Sequence, residues 1–198
     1  DPTLADVREA GIPLFTIDFS SEHTLNNVTS DNWQIGTLVA TTLAEDIGGE
    51  GKVLVFNGFP GVAPCRIRYQ QLRLVLEDYP KISLIPPELQ DKYEGTVEDA
   101  KQQISAALRR YPEGDISAIW SCWDMPLIGA AQAVDDAGRD EIQIFGVDAE
   151  PGALDLIADP ESSYEATVAQ QTVAMGAGSV DNAARFLGGE EDSITPTT

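Results

Sequence analysis

The chain has 198 residues, 42% of them hydrophobic and 23% charged, which supports one α/β domain or two small lobes with a real core. Its 33 acidic against 12 basic side chains give a formal charge of −21, arguing against nucleic-acid phosphates and anionic membranes as partners, since clustered Lys and Arg hold those. No apolar run approaches the roughly 18 residues of a membrane span.

The opening DPTLADVREAGI lies inside an amphipathic helical pattern rather than in a basic-then-apolar leader, so the N-terminus reads as a cut or processed end. PLFTID (13–18) and NNVTS (26–30) are predicted strands. From Trp33 to Ile47 apolar residues fall at helical spacing, and KVLVFNG (52–58) follows as a strand. Tyr69, Leu72, Val75, Leu76 and Tyr79 mark a helix face before the strand KISLIP (81–86). Val97, Ala100, Ile104, Leu108 and Tyr111 mark another before SAIWSCW (117–123). A helix over 126–137 stops at Gly138, IQIFGVD (142–148) is a strand, and a short helix starts at Pro151. YEATVAQ (164–170) is extended, Val173 to Leu187 is a last helix ended by two glycines, and the tail EEDSITPTT carries no pattern.

Continuous apolar strands alternating with amphipathic helices predict parallel sheet covered on both faces, a doubly wound α/β fold. In such folds ligands bind beyond the carboxyl ends of the strands, which directs attention to Asp18, Phe19, GFPGVAPCRIR, Trp123, Asp124, Asp148 and Gln170. Within GFPGVAPCRIR, Arg66 and Arg68 sit at a predicted helix start. Positive charge there opposes the macrodipole, so a purpose other than helix stability is implied.

Several chemistries find no support. Cys65 and Cys122 lack zinc or redox spacing, and the single His23 leaves little room for a histidine-based metal centre or triad. EDIGGEGKV fails as a phosphate loop, because Asp46 occupies the first glycine position and Val53 replaces Ser or Thr. No nucleophile with a general base stands at the strand ends, so an enzyme is not expected, and neither a cofactor nor a metal.

The ordered set FTID, TSDNWQIG, GEGKVLVFNGFPGVAPCRIR, WDMPLIGAAQAVDDAG, IFGVDAEPGAL and ATVAQ resembles the type I periplasmic sugar-binding proteins. The resemblance runs along the whole chain but implies only about the last two-thirds of a typical member. It implies a two-lobed fold of doubly wound parallel sheets with a ligand cleft between the lobes. Residues 32–168 would form a nearly complete carboxy-terminal lobe. Residues 1–31 and 169–198 would be remnants of the amino-terminal one, with Thr198 near the last crossing. It further implies export to the periplasm, a small sugar or polyol ligand, a membrane permease of an ABC transporter as partner, and a monomer at full length. A fragment lacking part of one lobe would bind ligand weakly or not at all. An effector-binding core of a lactose-repressor-type transcription factor shares the fold and is the alternative.

The resemblance assigns ligand-binding roles residue by residue. Arg66 offers a planar fork of donors to adjacent hydroxyls, with a surface ion pair as the bland alternative, while Arg68 points to another helix face and is read as structural support or a second contact. Asp18 and Asp148 would accept hydroxyl hydrogen bonds; otherwise they are a turn residue and a helix cap. Gln170 would both donate and accept, or else be an exposed polar residue opening the last helix. Phe19 and Trp123 stand where ribose-binding members carry an arginine and an asparagine, which points away from ribose and toward a ligand with an apolar face; core packing is the other role open to Trp123. Asp124 is a site candidate or only the N-cap before Met125 and Pro126. Cys65 and Cys122 are read as two separate buried thiols, with a disulfide the alternative open to an exported protein.

Overall fold

A computed structural model describes residues 2–190 and 194; the remainder of the tail, including Thr198, lies outside the described residues. The chain divides into two compact units, Asp1–Asn32 with Gln171–Thr198, and Trp33–Gln170.

The larger unit carries a five-stranded parallel sheet. In chain order it comprises helix α2 (Asn32–Asp46, from the unit boundary), β3 (Glu50–Phe56), α3 (Ala63–Leu76), β4 (Lys81–Leu84), α4 (Thr96–Arg110), β5 (Ala118–Ser121), α5 (Met125–Asp136), β6 (Gln143–Asp148), α6 (Pro151–Ala158) and β7 (Tyr164–Ala169). The strand order is β4-β3-β5-β6-β7, every pairing parallel. Both faces are buried, and the period of two along each strand divides the core in two. Val53, Val55, Ala118, Trp120, Phe145 and Val147 face α2 and α3. Leu54, Phe56, Ile119 and Ile144 face α4 and α5. The doubly wound α/β fold expected from the alternating pattern is therefore present.

The order of strands locates the place where the winding reverses. Helix α3, which follows β3, packs on one face, whereas α5, which follows the adjacent β5, packs on the other. A crevice opens between two such helices at the carboxyl ends of their strands. The contact of α2 with α3 beside it is unusually close: a Cβ on Gly36 would lie 2.8 Å from Arg68 Cα and 3.1 Å from its carbonyl oxygen. Only the absence of a side chain lets α2 rest on the backbone of the residue that carries a buried guanidinium.

The smaller unit pairs β1 (Phe15–Ile17) with β2 (Asn26–Val28) in parallel and adds α1 (Pro2–Glu9) and α7 (Thr172–Leu187). Helix α7 is tied to the strands by apolar and polar contacts. Phe15 and Phe186 meet edge to face at 5.9 Å, Asn182 Nδ2 donates to Asn26 Oδ1 at 2.9 Å, and Ser30 Oγ donates to Met175 Sδ at 3.0 Å.

One expectation about the core is overturned. Cys65 and Cys122 are joined in a disulfide, with Cα atoms 5.0 Å apart, rather than standing as two thiols. Cys65 lies in the first turn of α3 and Cys122 follows β5, and the parallel pairing of Phe56 with Ser121 brings those two strand ends level.

Gly36→Ala tests the α2–α3 contact. A helical glycine-to-alanine exchange would by itself gain up to about 1 kcal/mol, but pushing a methyl group into the α3 backbone costs about 1–3 kcal/mol. A net loss of about 1–2 kcal/mol is expected in urea unfolding, and a gain would show that the two helices can separate freely.

Candidate functional site

The strand ends of the larger unit hold three connected arrangements. The first is built on α3. Its N-terminal turn contains Pro64, which needs no N–H there, and presents Arg66 and Arg68. Arg66 is exposed, and its guanidinium makes no hydrogen bond or ion pair to another described residue. Arg68 turns inward and is only 2% exposed. Its Nη1 donates to the Cys122 carbonyl oxygen at 2.7 Å and faces Asp148 Oδ1 at 3.2 Å. Of the two readings of Arg68, the structural ion pair is the one found.

Asp148 closes β6 and receives a second donor, Gln170 Nε2, at 2.7 Å. The other amide atom of Gln170, Oε1, is buried and accepts no hydrogen bond from the described residues. Gln170 is thus half-buried and engaged, not an exposed opening residue of α7. Asp148 does not cap α6; its carboxylate is spent on Arg68 and Gln170. Burial pushes the Asp148 carboxyl up to about 6, against the opposing pull of Arg68 and Gln170. Its backbone is strained as well, because Asp148 and Ala149 have φ of 116° and 59°, a region L side chains rarely adopt.

The second arrangement holds that strained turn in place, and its centre is Asp124. Although it precedes α5, Asp124 makes no side-chain cap, which corrects the N-cap reading. It is fully buried, and its oxygens accept from Tyr164 Oη at 2.7 Å, Thr167 Oγ1 at 2.9 Å and the Glu150 backbone N–H at 3.0 Å. Thr167 Oγ1 in turn accepts the Ala149 N–H at 3.1 Å. The two residues after Asp148 therefore hang from Asp124 and Thr167. Burial raises the Asp124 carboxyl and, with the charge of Asp124 adding to it, the Tyr164 hydroxyl. Gly146 makes room for this network, since a Cβ there would come within 2.3 Å of both Asp124 Oδ1 and Tyr164 Oη. With no exposed surface and its oxygens occupied, Asp124 positions Asp148 instead of joining the groups at the surface.

The third arrangement is aromatic. Trp123 is half-buried, and its indole N–H donates to Asp91, a buried residue that also accepts the Gly58 backbone N–H. With that N–H occupied, Trp123 offers ring and no donor. Its ring meets Phe59 at 5.7 Å and Tyr93 at 5.8 Å, both edgewise, while Phe59 and Tyr93 stack at 4.2 Å. Tyr93 is 67% exposed. The sequence reading missed Phe59, Tyr93 and Asp91; the only signal was Phe59 inside the strand-end turn GFPG.

In the smaller unit, Asp18 stands at φ 55° just after β1, and its Oδ1 accepts from Thr29 Oγ1 at 2.5 Å. Asn32 Nδ2 donates to the same Thr29 oxygen at 2.9 Å. Phe19 is 52% exposed, while its N–H donates to Asn27 Oδ1 at 3.1 Å.

A doubly wound unit with the parallel strand order β4-β3-β5-β6-β7 has the fold of the type I periplasmic binding proteins. The family described as periplasmic binding protein domain matches residues 1–191, and the chain belongs to it. The ribose import binding protein of Bacillus subtilis is 30% identical over 91% of this chain and 57% of its own length. The xylitol-binding protein of Mycolicibacterium smegmatis is 26% identical over 79% of this chain and 44% of that protein. Among solved structures, an ABC transporter solute-binding protein from Agrobacterium vitis with bound allitol superposes with a TM-score of 0.94 at 52% identity, covering 100% of this chain and 67% of that one. A sugar transporter subunit from Rhodobacter sphaeroides gives 0.93 at 45% identity, covering 100% and 70%. The chain spans 57% of the Bacillus relative and 60% of the ribose import binding protein of Escherichia coli.

The raised Asp148 carboxyl has a definite consequence for stability. A carboxyl that takes up its proton more readily when folded favours folding most below its unfolded pKa of about 3.9, and that contribution falls as pH rises through about 6. Subtracting the stability of Asp148→Asn from that of the wild type isolates this group from the other carboxylates. The difference should shrink by about 2–3 kcal/mol between pH 4 and pH 7 in urea titrations, and a flat difference would rule out the shift.

Proposed function

We propose that this chain is the binding portion of an exported solute-binding protein that captures a small sugar or polyol and delivers it to the permease of an ABC transporter. Trp33–Gln170 corresponds to the carboxy-terminal lobe, and the smaller unit to part of the amino-terminal lobe. The observation that carries the reading is the buried, unaccepting Gln170 Oε1 beside Asp148. A buried acceptor without a donor costs about 1–3 kcal/mol, and a ligand hydroxyl donating to it recovers that cost.

Arg66 supplies donors from a guanidinium that no described protein group occupies, and Asp148 adds carboxylate acceptor capacity. Phe59, Tyr93 and Trp123 form an apolar wall against which a carbon skeleton packs. Asp18 and Phe19 are the ligand groups of the smaller unit. Because Arg68 is already balanced by Asp148, the site suits an uncharged ligand. The ligands named for the relatives, ribose, xylitol and allitol, are of that type. The aromatic wall and the 52% identity to the allitol-bound protein favour an acyclic polyol of that kind over ribose. The disulfide supports export, since such bonds persist in oxidising compartments. Transport binding proteins among the relatives favour this reading over a repressor effector core.

Calorimetric titration of the protein at its full genomic length with allitol, xylitol, ribose and allose tests the proposal. Micromolar or tighter binding of a polyol is expected, and absence of heat with all four would overturn it. In the same protein Arg66→Ala should weaken binding by about 10- to 100-fold, the loss of one or two charge-assisted hydrogen bonds. Its unfolding free energy should change by less than about 0.5 kcal/mol, because the side chain is exposed and bonded to no described residue.

A further inference from the structure

Helix α3 begins without the usual supports. Its N-cap residue, Val62, offers no side-chain hydrogen bond, its first turn contains no acid, and Arg66 opposes the dipole. Such a turn frays on its own. Here it is nonetheless buried at Pro64, Cys65 and Arg68. Links to two strand ends hold it to the sheet: the disulfide from Cys65 and the hydrogen bond from Arg68 both end on Cys122 after β5, and Arg68 also pairs with Asp148 at the end of β6. Cys122 in turn precedes Trp123 and Asp124. The bond therefore spans the point where the helices after β3 and β5 leave for opposite faces of the sheet, a crevice that packing of either helix on its own face does not close.

We propose that the Cys65–Cys122 disulfide is a positioning element for ligand binding: it braces the arginine-bearing turn of α3 against the end of β5, so that affinity depends on its oxidation. The inference rests on the reading of Arg66 as a ligand group. Reduction by a dithiol transfers two electrons and two protons, converts the S–S bond to two thiols, and leaves the reductant as a cyclic disulfide. Arg66 then rides on an uncapped turn, and the Arg68 bond to Cys122 loses its geometric constraint. Reduction of a bond serving only the fold would lower global stability and leave this turn no looser than the rest.

The experiment compares the oxidised protein, the dithiothreitol-reduced protein and Cys65→Ala/Cys122→Ala at full genomic length, so that a failure of the double variant to fold still leaves the reduced form. Amide exchange of Arg66–Tyr69 should accelerate by about tenfold or more in the folded reduced form, while that of Val53–Phe56 stays within about twofold. Allitol affinity should fall by about tenfold or more alongside. Exchange at Arg66–Tyr69 within about twofold of the oxidised protein, or equal allitol affinity in the two forms, overturns the inference. If the oxidised protein binds no polyol, the proposed function falls instead, and the exchange comparison alone decides whether the bond braces the turn.

Discussion

The burial of one positive charge governs the site. Arg68 is almost wholly excluded from solvent, and a guanidinium cannot escape that penalty by losing its proton. It needs a carboxylate and an acceptor at fixed positions, and the fold supplies Asp148 and the Cys122 carbonyl from two different strand ends. Helix α2 rests on the backbone of Arg68, an approach that Gly36 permits. The turn after β6 must hold Asp148 at a backbone angle that a side chain resists, which Asp124 and Thr167 enforce through the two following N–H groups. The interlocked groups around Asp148 are thus arranged about a single buried cation.

That arrangement separates two arginines two residues apart. Arg68 is consumed by structure, whereas Arg66 stays exposed on the same turn. A helix advances 100° per residue, so neighbours at this spacing face nearly opposite directions, and one turn can serve the core and the surface together. Of the positive charges at the start of α3, unfavourable for the helix, that of Arg68 is explained by its buried partners, and that of Arg66 by the ligand role proposed for it. The charge of −21 has little bearing here, because it belongs mostly to exposed carboxylates, while the site places its own acids in burial and pairs them.

The aromatic wall follows similar logic. Trp123 follows β5, and Asp91 takes up its indole N–H. What it presents is a ring edged by Phe59 and Tyr93. In the proposed site these three ring faces suit an apolar side of a ligand, with the Tyr93 hydroxyl as the one side-chain polar group the rings bring with them.

Local patterning determined a good deal by itself: alternating apolar runs and helical spacings specified the parallel strands, the helices between them, and hence the strand ends where Arg66, Asp148 and Gln170 stand. These features were legible because the period of each element is written into consecutive residues. The tertiary structure alone decided that Arg68 pairs with Asp148, that Asp124 is a buried strut rather than a cap, and that Phe59 and Tyr93 join Trp123. It likewise decided that Cys65 and Cys122 bond, since strand order brings together residues 57 apart in the chain, and no local pattern encodes which strand lies beside which. Side-chain partnership across the sheet depends on distances set only when the strands have taken their order.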